Sequence, residues 1–140
     1  MTIPDDVAAF LGRHRRMFLL TRRKDGSPTI HPMTGFFADG RVSMTTYRKS
    51  AKAMNVERDP RAGCLVVNGY DEDAVRAALV RGRGRLRQAD VAALPTSDGA
   101  APKVSGSIAG RVAERMASGK RLFLDVLPDA ASFVQRLWSA

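Results

Sequence analysis

Cysteine is almost missing from this chain. Cys64 is the only one in 140 residues, so no disulfide can form within it. Its neighbours in "GCLVV" are apolar, which predicts a buried thiol in a reducing, cytoplasmic setting. Histidine is scarce too. His14 and His31, with one distant cysteine, do not make the spacing of a zinc or other transition-metal site. No nucleophile motif is visible, and the carboxylates are scattered over turns and helix starts rather than paired for acid–base work. Aromatic residues make up 6% of the chain, which leaves few stacking platforms for a nucleic acid. No apolar run nears the roughly 20 residues that cross a bilayer. The start, "MTIPDDVAAFLG", carries acids where a secretory leader carries bases. The expectation is a protein without a membrane partner.

Positive charge is what the chain has in excess. Lys and Arg number 23 against 14 Asp and Glu, a formal charge of +9. The excess gathers at 13–24, 48–61 and 76–87. Such a balance suits an anionic partner: a nucleic acid, an anionic membrane or a phosphorylated ligand. The length fits one domain, 1–140, with a real core.

The patterning is mainly β with short helices. Residues 4–12 read as a helix, with Pro4, Asp5 and Asp6 suited to its first turn. "RRMFLLTRR" reads as a strand and "KDGS" as a turn. "PTIHPMTGFF" (28–37) reads as a second strand, bent or set at an edge by Pro32 and Gly35. After "ADG", "RVSMTTY" (41–47) alternates, with Val42, Met44 and Thr46 on one face. Ser50 is suited to cap a helix that runs to Arg58 and stops at Asp59-Pro60. "AGCLVVNGY" is a fourth strand, apolar enough for burial on both faces. In "ALVRGRGRLR" (78–87) the arginines at 81, 83, 85 and 87 share one face. The glycines between them let a backbone or a flat ligand approach the other. A Pro-, Gly- and Ser-rich loop at 94–107, a helix at 108–118, a sixth strand at 120–128 and a terminal helix from Asp129 complete the pattern. A small barrel is the economical way to leave no exposed edges.

The most specific local feature is "TTYRKSAK" (45–52), where a strand ends in a basic turn and a helix begins at a hydroxyl residue. Free amides and a partial positive charge make a helix start a phosphate binder. Lys49 and Lys52 add full charges, and Ser50, Thr45 and Thr46 add hydroxyls. The plain alternative is a capped helix with solvated lysines. His14, in "RHRR", belongs to a solvated run, while His31 fits the surface or a pocket wall equally well.

The stretch "DGSPTIHPMTGFFADGRVSMTTYRKSAKAMNVERDPRAGCLVV" resembles the pyridoxamine 5′-phosphate oxidase-like split β-barrels, which include flavin- and deazaflavin-dependent reductases. "VRGRGRL" resembles their next strand, and "RLFLDVLPDAASFVQRLW" their last strand and closing helix. The resemblance implies a six-stranded Greek-key split β-barrel, a homodimer, and a coenzyme F-420 or FMN site at the dimer interface. It implies hydride transfer to or from a small-molecule substrate, with the catalytic residues unassigned. It places the phosphate on Thr46, Ser50 and Lys52, with Lys49 nearby, and the ring against the strand backbone around His31, Pro32, Met33 and Thr45. Asn55 takes a structural role. Ile30 and Gly35 stand where the true oxidases carry a phosphate-holding Arg and Lys, which argues against the vitamin-metabolising activity itself. The alternatives are a basic nucleic-acid-binding module and a cofactor-binding protein without turnover.

Overall fold

A computed structural model describes residues 3–69, 74–88 and 119–134. The element order is α1 (Asp5–Arg13), β1 (Arg16–Arg22), β2 (Pro28–Thr34), β3 (Phe36–Ala38), β4 (Arg41–Tyr47), α2 (Ala51–Arg58), β5 (Arg61–Val67), β6 (Ala77–Arg87) and β7 (Arg121–Phe133). The expected loop at 94–107, the helix at 108–118 and the part of the expected terminal helix beyond residue 134 lie outside the described residues.

Alternation decides which side of each strand faces the core. Met17, Leu19 and Thr21 of β1 point inward, as do Val42, Met44 and Thr46 of β4, and all are buried. In α1, Val7, Phe10 and Leu11 recur at helical spacing and close one side of the same core. Turn chemistry sets the hairpins. Asp25 accepts from the Ser27 amide and hydroxyl at 2.9 and 2.6 Å between β1 and β2. Asp39 and Gly40 both take positive φ between β3 and β4, as a tight hairpin turn requires.

All pairings are antiparallel, in the order β2-β1-β5-β6-β7-β4-β3. The two outermost strands, β2 and β3, are neighbours in sequence, separated only by Gly35. One continuous segment therefore pairs with β1 at its start and with β4 at its end, and the sheet curls into a split barrel. The expected second strand exists but is broken at Gly35, which turns the expected six strands into seven segments. A Cβ at Gly35 would lie 2.7 Å from the Ser43 carbonyl oxygen and 2.8 Å from Met17 Sδ. The sulfur can move; the carbonyl is held in β4. Gly35→Ala is expected to lose about 1–3 kcal/mol of stability in urea unfolding, as overpacked sites do, and a neutral result would show that the crossing is slack.

The structure corrects the reading at the chain's end. Residues 129–133 are strand, not the start of a helix, because β6 offers them an open edge: Ala78, Leu79, Val80 and Arg81 pair with Phe133, Ser132, Ala131 and Ala130. Pairing overrides the local helical preference of "DAAS". Asp129 is the extra residue of a bulge beside Gly82, and Pro128 sits there, where a missing amide is tolerated. β5 is also not buried on both faces: Cys64 and Val66 face the core, while Leu65 and Val67 are half-buried on the outside. The glycines of β6 admit protein. Val56 of α2 packs on Gly84, and the Leu127 backbone of β7 closes on Gly82.

Candidate functional site

The turn from β4 into α2 is built as the sequence implies. Ser50 has extended φ and ψ, and its hydroxyl accepts from the Ala53 amide at 3.2 Å. The Met54 amide donates to the Ser50 carbonyl at 3.0 Å. The Ala51 and Lys52 amides make no hydrogen bond with the described residues and stand free at the helix start. Thr46 Oγ1 lies 2.8 Å from Ser50 Oγ, so the two hydroxyls form one polar unit.

The charge of Lys52 also acts on His31 of β2. Burial first, then the charges of Lys52 and Arg23, hold the His31 imidazole below its ordinary range. It is therefore neutral near pH 7. Its Nδ1 is buried and has no hydrogen-bond partner among the described residues, and such a group ordinarily has one. Thr46 and Ser50 are thus in contact, and Lys52 on the same turn acts on His31 through its charge.

The other expected residues are distributed around it. Lys49 lines a cleft of about 440 Å³ with Tyr47, Arg48, Gly119 and Lys120. Thr45 faces outward and its hydroxyl accepts from Arg121 Nε and Nη2 at 3.2 and 3.0 Å. That guanidinium lies 4.9 Å from the centre of the Tyr47 ring. Pro32 and Met33 line a different cleft of about 670 Å³ with Arg16, Phe18, Thr34 and Val67.

Asn55 has the structural role expected of it. Its Nδ2 donates to Thr21 Oγ1 at 3.1 Å, and its Oδ1 accepts from Arg58 at 2.7 Å. Thr21 in turn is bonded to Thr29 at 2.7 Å. This buried chain ties α2 to β1 and β2 and fixes the basic turn.

The sequence reading missed Asp125. It is fully buried in β7, where Ser43 Oγ donates to it at 2.7 Å. Arg87 grips it with two bonds, at 2.7 and 3.1 Å. Burial pushes this carboxyl up, but the bonds from Arg87 and Ser43 outweigh it and leave the group below the usual carboxylate range. The signal was present as one acid inside the apolar run "LFLDVL".

The family profile described as pyridoxamine 5′-phosphate oxidase matches residues 3–135. The chain belongs to the pyridoxamine 5′-phosphate oxidase family. Solved structures share its fold at low identity. A conserved hypothetical protein of Mycobacterium tuberculosis is 20% identical with a TM-score of 0.69, over 100% of this chain and 93% of that one. An F-420 reductase is 21% identical with a TM-score of 0.65, over 93% and 98% of the two chains. An FAD-binding protein of Mesorhizobium loti is 16% identical with a TM-score of 0.61, over 91% and 89%. No curated protein matches the sequence. The family and these neighbours support a flavin-binding oxidoreductase class for the chain. Ile30 of β2 is exposed, and the space around Gly35 excludes a lysine without movement of β4.

Proposed function

We propose that this protein is an oxidoreductase that binds a phosphate-bearing flavin-type cofactor and transfers hydride between it and a small organic molecule. The observation that carries the reading is the arrangement at the start of α2. Two free amides and the Thr46–Ser50 hydroxyl pair stand there, and the charge of Lys52 on the same helix start acts on His31 of β2, whose buried Nδ1 has no partner among the described residues. These groups fit a ligand with a phosphate and further polar atoms. When bound, the flavin ring supplies the hydride chemistry. The protein's share is to hold and orient. Lys52 and the amides take the phosphate, the Asn55 chain keeps the turn rigid, and neutral His31 offers an unused nitrogen to the ligand.

Of the two cofactors, coenzyme F-420 is the better fit. Its tail is a phosphodiester followed by glutamates, and the cationic cleft lined by Arg48, Lys120 and Lys49, the residue before Ser50, offers the positive surface such a tail needs. FMN needs one phosphate pocket. The experiment is addition of each cofactor separately, followed by absorption and fluorescence. A saturable change with one cofactor per chain, tighter for F-420, is expected. No spectral change with either cofactor at micromolar concentration would refute the reading.

We also propose a two-fold homodimer, with the outer face of β1, β2 and β5 as its centre. Ile30 is 63% exposed and Phe18 37%, and Pro32 pairs with Phe18 beside them. Leu65 pairs with Phe18 on the other side, so the apolar side chains run across three strands. Exposed contiguous apolar faces of this kind mark interfaces. Arg81 and Arg83, exposed on β6, lie toward its rim. Sedimentation equilibrium should give a dimer at micromolar concentration, and Ile30→Asp should shift it to monomer. A monomeric parent with cofactor bound would rule this interface out. The buried Cys64 thiol, pushed up to about 12 by burial, fits a reducing cytoplasm.

A further inference from the structure

We propose that Arg41 and Arg85, held by the buried Asp125, form a second anion site that recognises a carboxylate or phosphate group. The site lies on β4, β6 and β7 and does not rest on the cofactor reading. Asp125 already accepts three hydrogen bonds: Oδ1 takes Ser43 and Arg87 Nη2, and Oδ2 takes Arg87 Nε. Arg41 Nε and Arg85 Nη2 lie 3.8 and 3.5 Å from Oδ2. Those separations are Coulombic contacts, longer than the roughly 2.7–2.9 Å of a charge-assisted bond. The aspartate therefore draws two further guanidiniums together without using their donors.

Exposure makes those donors available. The Arg85 side chain is 50% exposed and that of Arg41 28%, whereas Asp125 is at 0%. The guanidinium is a planar fork matched to two oxygens of one acid. Two forks gathered on a fixed, buried carboxylate are pre-organised for such a ligand, since the cost of bringing like charges together is met in folding. The local charge still favours an anion. Arg41, Arg85 and Arg87 face Asp125, and the other acid whose charge acts on Arg87 is Asp39 of the β3–β4 turn. Phe123 lies under Arg87, with the guanidinium 4.4 Å from the ring centre, and keeps that arginine on Asp125 rather than on a ligand.

The test is NMR titration of the full chain, read at the arginine Nε–Hε signals, with inorganic phosphate and with citrate at constant ionic strength. Chloride serves as the control. Saturable shifts at Arg41 and Arg85, with Arg121 unmoved, are expected for one or both anions. Tighter citrate binding assigns a carboxylate ligand, and tighter phosphate binding a phosphoryl one. Arg41→Gln with Arg85→Gln should weaken binding about tenfold or more, and Lys52→Ala should leave it unchanged. The double variant keeps the Asp125–Arg87 pair, and each single variant supplies the same reading should the double one unfold. Shifts matched by chloride, shifts at Arg121 instead, or affinity unaltered in the glutamine variants would overturn the proposal. Loss of binding in Lys52→Ala would do the same, because the anion would then be in the cofactor site.

Discussion

Asp125→Asn is expected to cost the fold about 3–5 kcal/mol, the range for breaking a buried ion pair from one side. Asparagine keeps the shape of the side chain and removes its charge. Arg87 would then lie against Phe123 with no carboxylate, and Arg41 and Arg85 would repel it without a centre. The effect should reach β4, β6 and β7 together, since Ser43, Arg87 and Asp125 join those three strands. Urea unfolding of parent and variant gives the number, and a loss below about 1 kcal/mol would show that the network is replaceable. The pH dependence has a definite sign. The folded carboxyl lies below its ordinary value of about 4. Its contribution is therefore complete above that value and is lost as pH falls through the folded pKa. The parent should lose stability in acid across that window, and Asp125→Asn should lose less there.

Lys52→Ala should weaken cofactor binding by about 1.5–3 kcal/mol, the range of a charge-assisted hydrogen bond. That is roughly ten- to hundredfold in dissociation constant. Stability should hardly change, because Lys52 makes no ion pair among the described residues. The variant also relieves His31 of one neighbouring charge, so the His31 pKa should move up towards its ordinary range. An NMR titration of the two histidines reads that shift independently of any cofactor. An unchanged affinity with a shifted His31 would separate the local geometry from the binding role and count against the latter.

Local chemistry made much of this legible. The Asp-Gly turns, the alternation of β1 and β4 and the Ser50 cap each depend on residues close in sequence, and each stands in the structure where the pattern puts it. The basic turn was readable for the same reason. What escaped depends on partners far along the chain. Residues 129–133 become strand because β6 lies beside them, and nothing in "DAASF" announces that edge. Gly35 reads as a bend, and only the β3–β4 pairing reveals that it joins the two ends of the sheet. Asp125 meets Ser43 and Arg87 across 82 and 38 residues. Spacing rules cannot foresee such a meeting. Thr45, adjacent to Thr46, points to the opposite face and meets Arg121, a partner 76 residues away that spacing does not announce.

The most direct test of the central claim compares each cofactor with its phosphate-free core. FMN is set against riboflavin, and F-420 against its deazariboflavin core, by fluorescence titration of the parent and of Lys52→Ala. If the start of α2 grips the phosphate, the phosphorylated form binds the parent at least about tenfold more tightly, and Lys52→Ala removes most of that advantage while leaving the core's affinity alone. Equal affinity of the parent for the phosphorylated and phosphate-free forms would contradict the account.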